Sequence, residues 1–213
     1  IRVVDITFSE LHLSDKLNCA RSQLYNVNFI DSDMEISDFN ESKFTNVQFI
    51  NSNLDKAIFT NSIFSKVKFS KETKLRKSIF DNCKVAYDRL RIENDETLIF
   101  TNCDLTESTF VRAIISSKLE DSNLSSANFS EAKLVASKFY NCTLNNTIFT
   151  KSMFTAYQVK SNNSKKPSTS VVSLITCCIG LKPELATKRE DIQKGTIINC
   201  KFDSAAMNFI DLS

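Results

Sequence analysis

One histidine, seven cysteines and one dense run of carboxylates are the residues with which this chain of 213 could do chemistry. A Cys–His or Ser–His nucleophilic pair would have to use His12. That residue lies between Leu11 and Leu13 in an apolar–polar alternation, which makes it an outward or capping residue. The thiols are Cys19, Cys83, Cys103, Cys142, Cys177, Cys178 and Cys200. They form no CxxC and meet no histidine cluster, so no zinc site is expected. An odd count without regular spacing argues against a disulfide framework, and Cys83, Cys103 and Cys142 read as small buried packers. Cys177-Cys178 beside an apolar run could carry a lipid near a membrane; packing of that segment is the preferred reading.

Asp31, Asp33, Glu35, Asp38 and Glu41 place five carboxylates within eleven residues. Asp31-Ser32-Asp33-Met34-Glu35 begins like a calcium loop. Its sixth position is Ile36 where glycine is required and its twelfth is Ser42 where glutamate is required, so calcium is rejected. A solvated acidic edge is the simpler reading, and a docking patch for a basic partner the sharper one. Lys66, Lys68, Lys71, Lys74, Arg76 and Lys77 form a basic cluster. It lacks interleaved aromatics and reads as a solvated corner rather than a phosphate site. Ile30 and Ile50, twenty apart, should stack on the outside, joined by Ile58 and Ile63, as an exposed apolar stripe.

What must position these residues is a period of five. From Leu24 every fifth residue is large and apolar: Phe29, Met34, Phe39, Phe44, Phe49, Leu54, Phe59, Phe64 and Phe69. Two places before each centre sits a compact residue, such as Ser22, Val27, Ser32, Ser37, Ser42 and Val47. Neither a strand, with period 2, nor a helix, with period 3.6, repeats at five. Val27, Val47 and Val67 are twenty apart, as are Phe29, Phe49 and Phe69. Like stacks on like if the chain turns once every four pentapeptides, which defines a solenoid. Coils about 4.8 Å apart make a rod of roughly 35 Å from seven to eight coils.

These residues resemble the pentapeptide-repeat family, with Phe and Leu centres and Ser, Cys or Val in the small position where the family usually has Ala. The resemblance implies an all-β, right-handed quadrilateral β-helix. Residues 1–213 are therefore expected to form one domain, with an irregular first coil over 1–23 and an insertion over 155–198. In the first coil Phe8 and Leu13 are centres, and Asn18, where the next is due, breaks the run. One extra residue follows Phe69 as a bulge, and the pattern resumes at Leu75, Phe80, Val85 and Leu90. An outward loop is placed at Asp95, and one residue is lost before Leu119. Eight clean repeats run from Leu119 to Phe154. Within the insertion, 161–170 reads as a polar loop and 183–193 as a short helix. Centres return at Phe202, Met207 and Leu212, so the chain reads as a fragment of something longer.

Composition narrows the function. With two Gly and two Pro, the pentapeptide itself must make the corners. A net charge of +2 predicts neither a polyanion-binding surface nor an acidic mimic of one. The longest apolar run, Val171 to Leu181, is too short to span a membrane, and no stretch has the pattern of a signal peptide. We expect a soluble protein of a reducing compartment with no cofactor, no nucleic-acid partner and no catalytic residue. Its expected role is that of a protein-binding module, with Ile30, Ile50, Ile58, Ile63, Asp31, Asp33 and Glu35 as candidate partner-binding residues.

The degenerate Ser/Asn/Phe-rich repeats are similar to the β-helix domains of secreted bacterial effectors, in particular those preceding the catalytic lobes of HECT-like ubiquitin ligases. That resemblance implies substrate recognition in a host cytoplasm, with the catalytic cysteine in another part of the protein. Two alternatives stay open. One is a stand-alone pentapeptide protein of the DNA-mimic, gyrase-binding type; the other is a structural spacer. Over residues 20–70 six acids face five bases, a poor match to a duplex carrying one charge per about 1.7 Å.

Overall fold

Each turn of the chain returns to the same side of a rod. The computed structural model describes residues 1–12, 16–86, 98–135, 137–155, 157–159, 168–170 and 206–208. In it Arg2, Gln23, Lys43, Ile63, Lys84, Ile114, Lys133 and Met153 are successive rungs of one parallel ladder, seven turns in all. The strands β1 (Arg2–Ser9), β2 (Gln23–Ile30), β3 (Lys43–Ile50) and β4 (Ile63–Ser70) each run along two faces and the corner between them. In later turns those faces carry separate strands. These are β5 (Lys84–Val85) with β6 (Leu98–Thr101), β7 (Ile114–Ile115) with β8 (Ser117–Glu120), and β9 (Lys133–Val135) with β10 (Lys138–Tyr140). Next comes β11 (Met153–Thr155), and β14 (Ala206–Asn208) joins the same twelve-stranded sheet with Met207 opposite Phe154.

Corners without glycine are made by left-handed residues. Arg21, Asn26, Asp31, Ile36, Glu41, Asn46, Asn51, Lys56 and Asn61 all have φ between 48° and 60°. Each lies two places after a centre, so the left-handed residue is part of the repeat. Asn and Asp tolerate this conformation best, which explains the asparagines at Asn26, Asn46, Asn51 and Asn61. The extra residue after Phe69 is absorbed by two consecutive left-handed residues, Lys71 and Glu72. The corner between Ile115 and Leu119 is one residue shorter and has no left-handed residue.

Four stacks of centres fill the rod. On the first face they are Leu24, Phe44, Phe64, Val85, Ile115, Leu134 and Phe154, and on the third Met34, Leu54, Leu75, Leu105, Leu124 and Leu144, all buried. The second and fourth faces carry aromatic columns. Phe29, Phe49, Phe69 and Phe100 stack at 4.8–5.1 Å on one. Phe39, Phe59, Phe80, Phe110, Phe129 and Phe149 stack at 4.6–5.2 Å on the other. The columns meet edge to face, as Phe80 does with Phe100 at 5.8 Å and 89°. Burying each ring is worth about 1.5–3 kcal/mol, and each aromatic pair about 0.5–1.5 more.

The compact position is buried too, and several of its hydroxyls bond backbone groups at the corners. Ser42 Oγ accepts the Ser22 N–H at 3.0 Å and donates to the Cys19 carbonyl at 2.7 Å. Ser62 Oγ repeats this for the Ser42 N–H at 3.1 Å and the Phe39 carbonyl at 2.8 Å. Cys83 follows in the next turn, its Sγ donating to the Phe59 carbonyl at 2.9 Å.

Asn18 breaks the run of centres: it bridges to Asp38, and buried Cys19 takes the place level with Phe39. The first coil is one residue longer than the twenty-residue turn, which moves the centre along by one. Ser168–Ser170 is not loop but strand β13, antiparallel to β12 (Tyr157–Val159). Among the described residues there is no helix. The expected helix over 183–193, the loop at Asp95 and the centres Leu13, Leu90, Phe202 and Leu212 lie outside the described residues.

Candidate partner-binding surface

With the interior filled by repeats, recognition falls to the outward side chains, and the ladder aligns them in rows. Ile30 is level with Ile50 at the ends of β2 and β3, both half-buried, with Ser9 before them and Ser70 after. Ile58 belongs to a different row, Asp38–Ile58–Ile79–Thr109, on the fourth face. Ile63, 40 % exposed, lies on the first face between Lys43 and Lys84. The single stripe expected of the four isoleucines is thus three separate places, and only Ile30 and Ile50 adjoin.

Asp31 and Asp33 flank that pair on the next corner and face. Asp31 is a left-handed corner residue whose Oδ1 accepts from Asn51 Nδ2 at 2.7 Å. Asp33 Oδ1 accepts from Asn53 Nδ2 at 2.9 Å. Glu35 is ion-paired with Lys56 at 2.7 Å, and that hydrogen bond holds the Lys56 ammonium above its ordinary pKa. Further round the rod Lys16 pairs with Asp38 and Arg21 with Glu41. Each acid in this run is therefore met by an amide or cation on a neighbouring coil. An open depression of about 240 Å³ lies beside Asp31 and Asp33, lined also by His12, Asn51, Asn53, Glu72 and Lys74.

The basic cluster dissolves on folding. Lys66 sits at the corner of the first and second faces, Lys68 on the second, Lys71 at the next corner, and Lys74 and Arg76 on the third. Arg76 donates to buried Asp55 through its backbone N–H at 2.9 Å, through Nε at 2.8 Å and through Nη2. The Asp55 carboxylate holds the Arg76 guanidinium above its usual pKa.

No group of three or more His, Cys, Asp or Glu side chains could hold a metal among the described residues. Cys19, Cys83, Cys103 and Cys142 are buried thiols outside any disulfide. Burial pushes the Cys83 thiol up and that of Cys103 up to about 12, so neither is a ready nucleophile. Among the described residues no helix is long and apolar enough to cross a membrane.

A family model described as pentapeptide repeats (8 copies) matches residues 42–82, and a model for a pentapeptide repeat region matches residues 96–166. No curated protein matches the chain. Among solved structures, the chain is similar to a trypsin-treated form of QnrB1, a plasmid-mediated fluoroquinolone resistance protein. Identity there is 16 %, over 72 % of this chain and 70 % of that one, with a TM-score of 0.39. It is also similar to HetL, a pentapeptide repeat protein involved in heterocyst differentiation regulation from the cyanobacterium Nostoc sp. strain PCC 7120. There 13 % identity covers 97 % of this chain and 86 % of that one, with a TM-score of 0.25.

Proposed function

The chain belongs to the pentapeptide-repeat family, and from that premise we propose that it is a non-catalytic module that recognises a protein partner. The observation that carries this is the division of the rod into a repetitive buried interior and rows of outward side chains set by the ladder. A repeat of this kind holds chosen side chains at fixed spacing on a rigid face, which suits recognition. The site we assign is the edge where Ile30 and Ile50 adjoin Asp31, Asp33 and Glu35. Ile58 and Ile63 extend contact onto other faces.

The parent protein we propose is a secreted bacterial effector acting in a host cytoplasm, with the rod selecting substrate for a HECT-like ubiquitin ligase lobe. The Ser/Asn/Phe-rich style of the repeats supports this. The DNA-mimic alternative is weakened by exposed lysines on the first face, such as Lys43, Lys84 and Lys133, which oppose the uniform negative charge of a duplex.

The test compares proteins captured by the wild type with those captured by an Ile30→Ser/Ile50→Ser variant of unchanged circular dichroism. A partner enriched by the wild type and lost by the variant is expected. Equal capture would overturn the assigned site, and absence of any specifically retained protein would overturn the recognition role. For the parent, an open reading frame without a ligase lobe bearing a reactive cysteine would remove the effector reading.

A further inference from the structure

The first face carries a pattern that neither the family nor the edge at Ile30 and Ile50 accounts for. Reading one ladder along the rod gives Lys43, Ile63, Lys84, Ile114, Lys133 and Met153, one residue per rung. Cation and apolar side chain alternate through six rungs. The backbone fixes the row, because the N–H groups of Lys43, Ile63, Lys84, Ile114, Lys133 and Met153 all donate to the compact position one coil back, at 2.8–2.9 Å. The three lysines are exposed, and Ile63 and Met153 are each 40 % exposed.

Charge compensation is weak along this row. On the third and fourth faces and their corners several cations are matched to acids: Lys56 with Glu35, Arg76 with Asp55, Lys77 with Glu107 and Lys16 with Asp38. Lys43, Lys84 and Lys133 make no ion pair among the described residues. The row beside them, Thr45, Ser65, Ala86 and Val135, is small and uncharged, leaving a shelf on which another backbone can lie close. On the corner row opposite are Arg21, Glu41, Arg112, Glu131 and Lys151, and Glu41 is already engaged by Arg21.

We infer that the first face is a docking surface for an acidic amphipathic helix of a protein partner, laid along the rod with carboxylates over Lys43, Lys84 and Lys133 and apolar residues over Ile63, Ile114 and Met153. The spacing selects a helix. Successive lysines are two rungs apart, about 9.6 Å, and seven residues of α-helix rise about 10.5 Å. Acids at every seventh position, with apolar residues midway, follow the row with a mismatch of under about 0.5 Å per rung. An extended strand places same-side residues about 6.6–6.8 Å apart and falls out of step at once. A nucleic-acid backbone would match the lysines and leave the three apolar rungs against phosphate.

The probe is a labelled helical peptide of about 21 residues with Glu at every seventh position and Leu midway between, three of each. Its control is a permuted peptide of the same composition. Binding to the full chain is followed by fluorescence anisotropy. The expected result is saturable binding to the wild type, at least ~10-fold weaker to K43E/K84E/K133E and weakened by raising salt from about 50 to 300 mM. K56E/K77E, carrying charge changes on other faces, should bind like the wild type. So should the Ile30→Ser/Ile50→Ser variant, which separates this surface from the one proposed above.

Equal binding of the permuted peptide would overturn the inference, as would tighter binding of a duplex DNA or of phosphatidylserine vesicles at equal charge. Self-association of the wild type that blocks the peptide and disappears in the triple variant would overturn it in favour of a second copy. Because the three lysines are exposed, unchanged thermal unfolding of the triple variant is the fold control.

Discussion

Phe59 and Phe80 are twenty-one residues apart, yet their rings stack with centroids 4.7 Å apart and planes 7° from parallel. One residue has been added between them, after Phe69, and the column does not register it. The addition is spent at the Lys71–Glu72 corner, where a second left-handed residue lengthens the turn without moving the next centre. Phe80 also stacks on Phe110 at 4.8 Å. Replacing it with Ala should remove about 3–5 kcal/mol of unfolding free energy, measured by urea denaturation. A loss below about 1 kcal/mol would mean that neighbouring coils close the gap.

Among the described residues Ile36 is the one β-branched residue at a left-handed corner position, with φ 58° and half its surface exposed. The left-handed backbone costs such a residue about 1–2 kcal/mol, and little burial offsets this. Ile36→Asn should therefore raise the stability by about 1 kcal/mol, seen as a higher denaturation midpoint at unchanged slope. A lower midpoint would show that the exposed side chain makes contacts worth more than the strain.

The buried thiols give a pH dependence. Cys103 ionises in the folded rod only near pH 12, whereas in the unfolded chain a cysteine ionises at about 8.5. Between those values the unfolded state releases a proton that the folded state keeps, so stability is intact below about pH 8.5 and falls as pH rises toward 12. Cys103→Ala should lessen that alkaline loss by up to about 1.4 kcal/mol per pH unit, read from denaturation at pH 8 and 10.5. Identical slopes for variant and wild type would contradict it.

Asp55 and Glu35 occupy the same place in successive coils, but Asp55 is buried and held by Arg76 through three donors, while Glu35 is exposed and meets only Lys56. Asp55→Ala leaves backbone and guanidinium donors without their acceptor and should lower the Tm by several degrees. Glu35→Ala should move it by no more than about 2 °C. Differential scanning calorimetry of both variants decides the order.

The period of five, with its twenty-residue echo, determined the fold from sequence. Centres and compact residues were legible because the rod buries them at every turn, and one misfit of the pattern would expose or overfill the core. Irregular places were read less well. Asn18 was legible as a break in the run, and only its pairing to Asp38 identifies Cys19 as the centre there. Separation of the two aromatic columns also needed the structure, since a period of five does not say which face a centre fills.

The surface was nearly illegible. Runs of like charge, Asp31 to Glu41 and Lys66 to Lys77, looked like patches because they are contiguous in sequence. In a coil with four faces such a run wraps the perimeter; each acid of the first run is met by a partner a coil away, as are Arg76 and Lys77 of the second. Lys43, Lys84 and Lys133 are 41 and 49 residues apart in turn, a spacing set partly by the extra residues between Lys84 and Ile114. The sequence fixes what is inside, because burial repeats at every turn; only the coil decides what lies side by side outside, because pairing joins residues that the chain separates by a whole turn.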